Sequence, residues 1–456
     1  MGLSKTRPMT SARSERLQGT AKVPGDKSIS HRALILGALA RGETIISGLL
    51  ESEDIINTAT ALNHLGAKIV KTGDGLWHAS GPGPGNLVSP DTVLDMGNSG
   101  TSTRLLAGLC SGSDITAFFA GDVSLTKRPM KRIMFPLEDM GAKFMARNNE
   151  NLPMGVKGSP APQAIYYKLP VASAQVKSAV LFCALTAEGK TTVVESTPTR
   201  DHSENILRHF GAEIQTEKNK DNGELSITLS GFPKLKGCAL SVPADPSSAA
   251  FPAVAAAIHR NSSIKISGVG VNERRTGLYQ TLSDMGVNIF FTGEHIEAGE
   301  KIADIEISSS GELRGIDIPP ERNVNMIDEF PVLAVAASCA KGQTRMVNLK
   351  ELRVKESDRL LMIANGLKSC GVNLEVKGDD LIIHGDGKPP RGGAFINCAM
   401  DHRIAMSFLV LGSVTPEPVT IDDGRCIETS FPGFADMMND LGMVIEEIEK
   451  PEALYA

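Results

Sequence analysis

Cysteine is scarce and scattered: seven thiols (Cys110, Cys183, Cys238, Cys339, Cys370, Cys398 and Cys426) are spread over 456 residues, with no CxxC pair. An odd count without close spacing argues against a disulfide frame or a thiolate zinc site, and suits reduced thiols in the cytoplasm. There is no HExxH, close histidine pair or carboxylate cluster, so no dedicated metal site is expected. Long apolar runs are also missing. None reaches the roughly 20 residues of a membrane span, and the first residues carry no hydrophobic leader core. Excess positive charge is absent too: 47 Lys and Arg against 53 Asp and Glu give −6, which disfavours a general nucleic-acid binder. Any anion site must then be a local concentration of base on an acidic body. No G-x-x-x-x-G-K-[ST] loop supplies one ready-made.

What is present is a globular composition, 41% hydrophobic and 22% charged, in a chain long enough for two or three domains. Residues Met1 to Arg16 are polar and basic and read as a loose tail. Their start, Met1-Gly2-Leu3-Ser4-Lys5-Thr6, fits the N-myristoylation pattern, a short one that matches often by chance.

A phrase recurs six times: Leu65-Gly66-Ala67-Lys68-Ile69, Met140-Gly141-Ala142-Lys143-Phe144, Phe210-Gly211-Ala212-Glu213-Ile214, Met285-Gly286-Val287-Asn288-Ile289, Cys370-Gly371-Val372-Asn373-Leu374 and Leu441-Gly442-Met443-Val444-Ile445. The glycines are 75, 70, 75, 85 and 71 residues apart. Glycine suits the left-handed position that ends a helix, and the alternation after it suits a strand. A repeated αβ module is expected rather than a solenoid. Five copies have a clear β-rich phrase ahead of their helix; Ile115-Thr116-Ala117-Phe118-Phe119 fits less tidily. A larger echo joins Val23-Pro24-Gly25-Asp26-Lys27-Ser28 to Val242-Pro243-Ala244-Asp245-Pro246-Ser247, 219 residues later. Two similar lobes of three modules follow. Residues 1–25 with 245–456 form the lobe holding both chain ends, 26–244 form the other, and an active-site cleft is expected between them.

Charged and hydroxyl side chains gather at loop-to-helix junctions, where free N–H groups and the helix dipole favour an anion. Lys27, Ser28 and Arg32 open one such helix; Asn98, Gly100 and Arg104 lie in a second glycine-flanked turn. Lys127, Arg128, Lys131 and Arg132 make a basic run, and Ser173-Ala174-Gln175-Val176-Lys177-Ser178 opens an apolar helix. Arg200-Asp201-His202-Ser203-Glu204 and Asn272-Glu273-Arg274-Arg275 start helices with mixed charge, for which surface ion pairs are the simple account. Asp328 is either a helix cap or a cleft base. Lys355 and Arg359 are spaced to share one helical face beside Glu356, and Arg403 follows Asp401-His402.

Taken together, Gly25-Asp26-Lys27-Ser28, Ser173 to Ser178, Arg200 to Glu204 and Asn272 to Arg275 resemble the four signatures of the class II bacterial branch of the 5-enolpyruvylshikimate-3-phosphate synthase family. The resemblance implies an α/β (α+β) fold with two lobes, each of three βαβαββ repeats in an inside-out α/β barrel. It implies transfer of the enolpyruvyl group of phosphoenolpyruvate to shikimate 3-phosphate, by a cytoplasmic monomer needing no cofactor or metal and binding neither nucleic acid nor membrane. By motif match, Lys27, Ser28, Arg32, Ser173, Ala174, Gln175, Arg200, Asp328 and Lys355 would hold shikimate 3-phosphate. Lys27, Asn98, Gly100, Arg128, Gln175, Arg359 and Arg403 would hold phosphoenolpyruvate, with Arg104 nearby. Asp328 and Glu356 would move protons, and Lys27 and Lys355 would stabilise developing charge. Where class I members carry a lysine, this chain has Thr429-Ser430-Phe431-Pro432. Gly100 lacks the methyl that would crowd glyphosate, the family's inhibitor, so inhibition is expected. The alternatives are enolpyruvyl transfer to UDP-N-acetylglucosamine, whose enzymes carry a reactive cysteine in the loop corresponding to Leu125–Arg132, and an inactive anion-binding protein of the same fold.

Overall fold

A computed structural model of the chain describes residues 6–309 and 311–449. The myristoylation phrase, Met1 to Lys5, lies outside the described residues. Each recurring glycine sits one residue beyond a helix end with positive φ: Gly66 97°, Gly141 104°, Gly211 94°, Gly286 100°, Gly371 89° and Gly442 110°. In all six, the glycine N–H bonds the carbonyl three residues back and the next N–H bonds the one five back (Gly66 to Asn63 at 3.1 Å and Ala67 to Leu62 at 3.0 Å, for instance). This pair of bonds satisfies carbonyls left open at the helix end, in a conformation that costs glycine little. These helix ends follow the sequence because their cause is local.

Twelve α-helices are found among the described residues, two per repeat. They are α1 (Lys27–Leu39), α2 (Glu53–His64), α3 (Gly100–Ser111), α4 (Lys131–Asp139), α5 (Ala174–Ala184) and α6 (His202–His209). Then follow α7 (Pro246–Ile258), α8 (Gly277–Asp284), α9 (Phe330–Cys339), α10 (Arg359–Ser369), α11 (His402–Gly412) and α12 (Phe434–Asp440). Odd-numbered helices are apolar nearly all round and buried along their length, whereas even-numbered ones keep an exposed face. The even helices end in the recurring glycines. The odd ones pack on each other, α3 on α5 closely enough that a Cβ on Gly108 would stand 2.4 Å from the Ala179 carbonyl oxygen. Helices therefore fill the middle of each unit, and the sheets lie against them with one face buried.

Each sheet repeats one order. Leu94–Asp95 runs parallel to Thr116–Ala120, which pairs antiparallel with Asn151–Lys157, which pairs antiparallel with Lys143–Arg147. The untidy phrase at Ile115 thus forms a regular strand, Thr116–Ala120. Among the described residues, five of the six sheets have four strands; the sheet on Lys341–Met346 has three, with single parallel bridges from Arg314 and Asp317 in the fourth place.

The chain divides into two compact units. Among described residues, one takes the chain to Pro24, Ala244–His295 and Lys301 onward, and the other takes Gly25–Pro243 with Ile296–Glu300. Both changeovers follow a first strand that stays behind. Gln18–Ala21 precedes α1 but pairs parallel with Ser263–Ile266 of the first unit; Ala239–Ser241 precedes α7 but pairs parallel with Ile45–Ser47 of the second. The expected loose tail is also a strand: Met9–Ala12 lies antiparallel to both Val419–Ile421 and Val444–Glu447, filling the last sheet. Its Met9 side chain is buried, a long-range reward that a polar, basic composition conceals.

Candidate functional site

Odd-numbered helices present their first turns as the chemical surface of each unit. Asp26, Ser99, Ser173 and Asp401 cap α1, α3, α5 and α11 by accepting from Ile29, Ser102, Val176 and Arg403 N–H, which leaves the next side chains free to face outward.

In the second unit three of these turns meet. Arg32 of α1, 3% exposed, donates from Nε to Ser203 Oγ (2.7 Å), from Nη2 to Ser178 Oγ of α5 (2.8 Å) and from Nη1 to the Ser28 carbonyl (2.8 Å). All three acceptors are neutral, and no carboxylate pairs with Arg32 among the described residues. Burial lowers its pKa to about 10; Glu204 and Asp26 oppose that loss, and the nearby cation of Arg200 adds to it. A buried cation beside another cation and three neutral oxygens is a receptor for an anion.

Gln175, in the first turn of α5, accepts from Arg104 Nη1 (2.6 Å) and donates to Thr101 Oγ1 (2.9 Å), tying α5 to α3. Arg128, also buried, donates to the Asn98 carbonyl (3.2 Å), to Asn98 Oδ1 and to Ser124 Oγ (3.1 Å). Arg104 and Arg128 both reach Gly100: a Cβ there would lie 3.0 Å from Arg104 Nη1 and 3.3 Å from Arg128 Nη1. Two guanidinium groups thus flank the open N–H groups of α3. Lys27 Nζ pairs with Asp54 Oδ2 at 2.6 Å. Behind them His31 is fully buried, its Nδ1 2.8 Å from Thr58 Oγ1, and burial, then the charges of Lys27 and Arg32, push its pKa well down. It is a neutral strut.

Lys177 is different. It is fully buried between Glu195 (3.2 Å) and Glu204 (2.7 Å), so the motif's lysine braces the scaffold under the loop of Arg200 and Ser203.

The first unit gathers carboxylates around one guanidinium. Arg359, 1% exposed, donates from Nε to Asp401 Oδ2 (2.8 Å), contacts Asp328 Oδ1 (3.3 Å) and pairs with Glu356. Burial alone would lower its pKa, but Asp401, Glu356 and Asp328 outweigh burial and raise it. Lys355 Nζ lies 3.1 Å from the same Asp328 oxygen, and Arg403 Nη1 donates to the Asp328 carbonyl (3.2 Å). Asp328 is no cap: the residue at the α9 cap position is Glu329, whose side chain caps nothing. The shared helical face expected for Lys355 and Arg359 is not there. Lys355 ends a 3₁₀ turn (Lys350–Val354), and Arg359 begins α10 behind its own cap, Asp358. They meet at Asp328 by loop geometry instead. Arg275 also departs from the surface-ion-pair account, being buried against Asp245 (3.0 Å) and Ser247 (2.8 Å).

Asp54 and Asp401 were not singled out from the sequence. Nothing local marks Asp54, a first-turn acid of α2, as the partner of Lys27; Asp401 stood in a charged helix start, with nothing beside it to mark it as the partner of Arg359.

A buried guanidinium held by neutral oxygens on one unit, and carboxylates braced by a guanidinium on the other, suit a group-transfer enzyme that handles anions and protons. The chain matches the family model for EPSP synthase (3-phosphoshikimate 1-carboxyvinyltransferase) over residues 12–438, and it belongs to that family. It is 52% identical over 439 residues to the 3-phosphoshikimate 1-carboxyvinyltransferase of Paramagnetospirillum magneticum, covering 96% of this chain and 98% of that one. To the protein of the same name from Rhodospirillum rubrum it is 53% identical over 446 residues (97% and 98%). A solved EPSP synthase from Acinetobacter baumannii superposes with a TM-score of 0.86 at 42% identity, over 97% of this chain and all of that one, which bears out the mixed α/β fold.

Proposed function

We propose that the chain transfers the enolpyruvyl group of phosphoenolpyruvate to the 5-hydroxyl of shikimate 3-phosphate and releases inorganic phosphate. Arg32 carries the reading: a buried guanidinium held by hydroxyls and a carbonyl has its charge left for a phosphate. In this assignment Ser28, Arg32, Ser173, Ala174, Gln175 and Arg200 receive shikimate 3-phosphate, with Lys27. Asn98, Gly100, Arg128, Arg359 and Arg403 receive phosphoenolpyruvate, with Arg104 beside them.

The chemistry needs two proton transfers. Asp328 takes the proton of the 5-hydroxyl as its oxygen bonds to C2 of phosphoenolpyruvate, while Glu356 delivers a proton to the C3 methylene. The product of this addition is tetrahedral at C2. Cleavage of its C2–phosphate oxygen bond expels phosphate, and loss of the C3 proton back to Glu356 restores the double bond. Lys27 and Lys355 stabilise charge on the departing phosphate and the carboxylate. Arg359 serves by fixing Asp328 and Glu356 relative to each other. The protein works as a cytoplasmic monomer in this reading; no described helix is long and apolar enough to cross a membrane.

Transfer to UDP-N-acetylglucosamine is disfavoured, since Leu125–Arg132 contains no cysteine. Phosphate release from the two substrates separates an active enzyme from an anion-binding relative. Asp328→Asn is expected to lower kcat by roughly 10²- to 10⁴-fold, the usual range for removing a general base. Equal rates in parent and variant would remove Asp328 from its role.

A further inference from the structure

The strands Asn288–Glu297 and Glu300–Ser308 form a hairpin whose tip, Ile296–Glu300, groups with the second unit although the arms belong to the first. Both central turn residues have positive φ, 49° at Ala298 and 81° at Gly299, as a two-residue hairpin loop requires. Alanine adopts that conformation at a cost. The turn is held by packing: Ala298 lies against the second unit's hydrophobic cluster, and a Cβ on Gly299 would meet the Asn205 carbonyl at 3.2 Å.

The tip delivers one carboxylate. Glu300 is 2% exposed; its Oε1 lies 2.9 Å from His202 Nδ1 and accepts from Asn205 Nδ2 at 3.2 Å. His202 is itself 3% exposed and opens α6, between Arg200 and Ser203, whose hydroxyl holds Arg32 Nε. Nothing in the sequence near Glu300 announces this: it opens a strand nearly 100 residues downstream of its partners.

We propose that Glu300 is a positioning residue for the anion site around Arg32, holding His202 and Asn205 so that Arg200 and Ser203 stand where the substrate's phosphate needs them. The inference rests on the assignment of shikimate 3-phosphate to Arg32 and Arg200. A carboxylate that locks an imidazole at the base of a binding loop acts through geometry, and small displacements of a charged cradle cost affinity heavily. Its charge also reaches Arg32, opposing the loss of basicity that burial imposes there.

The test is steady-state kinetics on the full chain, with shikimate 3-phosphate affinity measured by calorimetry. Glu300→Ala is expected to raise KM for shikimate 3-phosphate about tenfold, leaving kcat and KM for phosphoenolpyruvate within about twofold. Glu300→Gln keeps an acceptor oxygen for both partners and should recover most of the loss. Arg200→Ala is the control. If it weakens shikimate 3-phosphate binding while Glu300→Ala does not, the positioning role is wrong and the substrate assignment stands. If Arg200→Ala has no effect, the assignment fails and takes the inference with it. A fall in kcat with both KM values raised would mean general damage and would overturn the proposal. Should Glu300→Ala not fold, Asn205→Ala must raise the same KM selectively; an unchanged value decides against it.

Discussion

Replacing Arg32 with methionine should make the ligand-free protein no less stable while destroying its affinity for shikimate 3-phosphate. The guanidinium is fully enclosed, and its pKa of about 10 against 12.5 means that keeping the charge there costs roughly 3 kcal/mol. Methionine fills much of the same length without charge. The hydroxyls it abandons are not stranded: Ser178 Oγ still donates to the Ala174 carbonyl (2.7 Å) and shares a hydrogen bond with Ser203 Oγ (2.7 Å). Allowing about 1 kcal/mol for poorer satisfaction leaves a net gain of about 1–3 kcal/mol. For a unit of this size that is a rise of about 2–12 °C in Tm. Binding moves the other way. Charge-assisted bonds to a phosphate contribute about 1.5–3 kcal/mol each, so losing two of them predicts a roughly 10²- to 10⁴-fold weaker Kd. Thermal melts with and without shikimate 3-phosphate read both quantities: the parent should gain Tm with ligand and the variant should not. The pH dependence has a definite sign. Because the folded pKa is depressed, the folded state binds fewer protons than the unfolded state above about pH 10, so stability rises with pH there. The parent's deficit against Arg32→Met is thus full at neutral pH and shrinks as pH climbs through about 10. A ligand-free Tm more than about 5 °C below the parent, or retained binding, would refute the account of Arg32 as a charge held in readiness.

Lys177→Met should destabilise by about 3–5 kcal/mol, lowering Tm by about 6–20 °C, because it leaves Glu195 and Glu204 buried together without a cation. Adding Glu195→Gln and Glu204→Leu should restore most of that loss in the same melt; no recovery would mean the triad is not the cause. Gly100→Ala would put a methyl 3.0 Å from Arg104 Nη1 and 3.3 Å from Arg128 Nη1, so inhibition by glyphosate should weaken more than tenfold and KM for phosphoenolpyruvate should rise; an unchanged inhibition constant would disprove the steric argument. Gly108→Ala should lower Tm by about 2–12 °C without altering KM, since its Cβ would lie 2.4 Å from the Ala179 carbonyl oxygen and 2.6 Å from its Cα, where helix backbones must part. A Tm equal to the parent's would show that α3 and α5 can separate freely.

The amino-acid sequence by itself determined what short-range forces settle. Six glycines ended six helices because a left-handed residue and two local hydrogen bonds are an answer available within one turn. Small polar caps placed Lys27, Ser28, Arg32, Gly100, Arg104, Gln175 and Arg403 at helix starts, and that much of the candidate site was legible. Tertiary structure alone decided which strands keep company and which charges are buried. Met9–Ala12 looked like a tail until partners from beyond position 400 paired with it, and Lys355 and Arg359 met at Asp328 through a loop rather than a helix. Lys177, Arg275 and Glu300 carry the same formal charges as any surface residue. Their roles depend on being removed from water beside partners far along the chain, a long-range condition that spacing along the sequence does not encode.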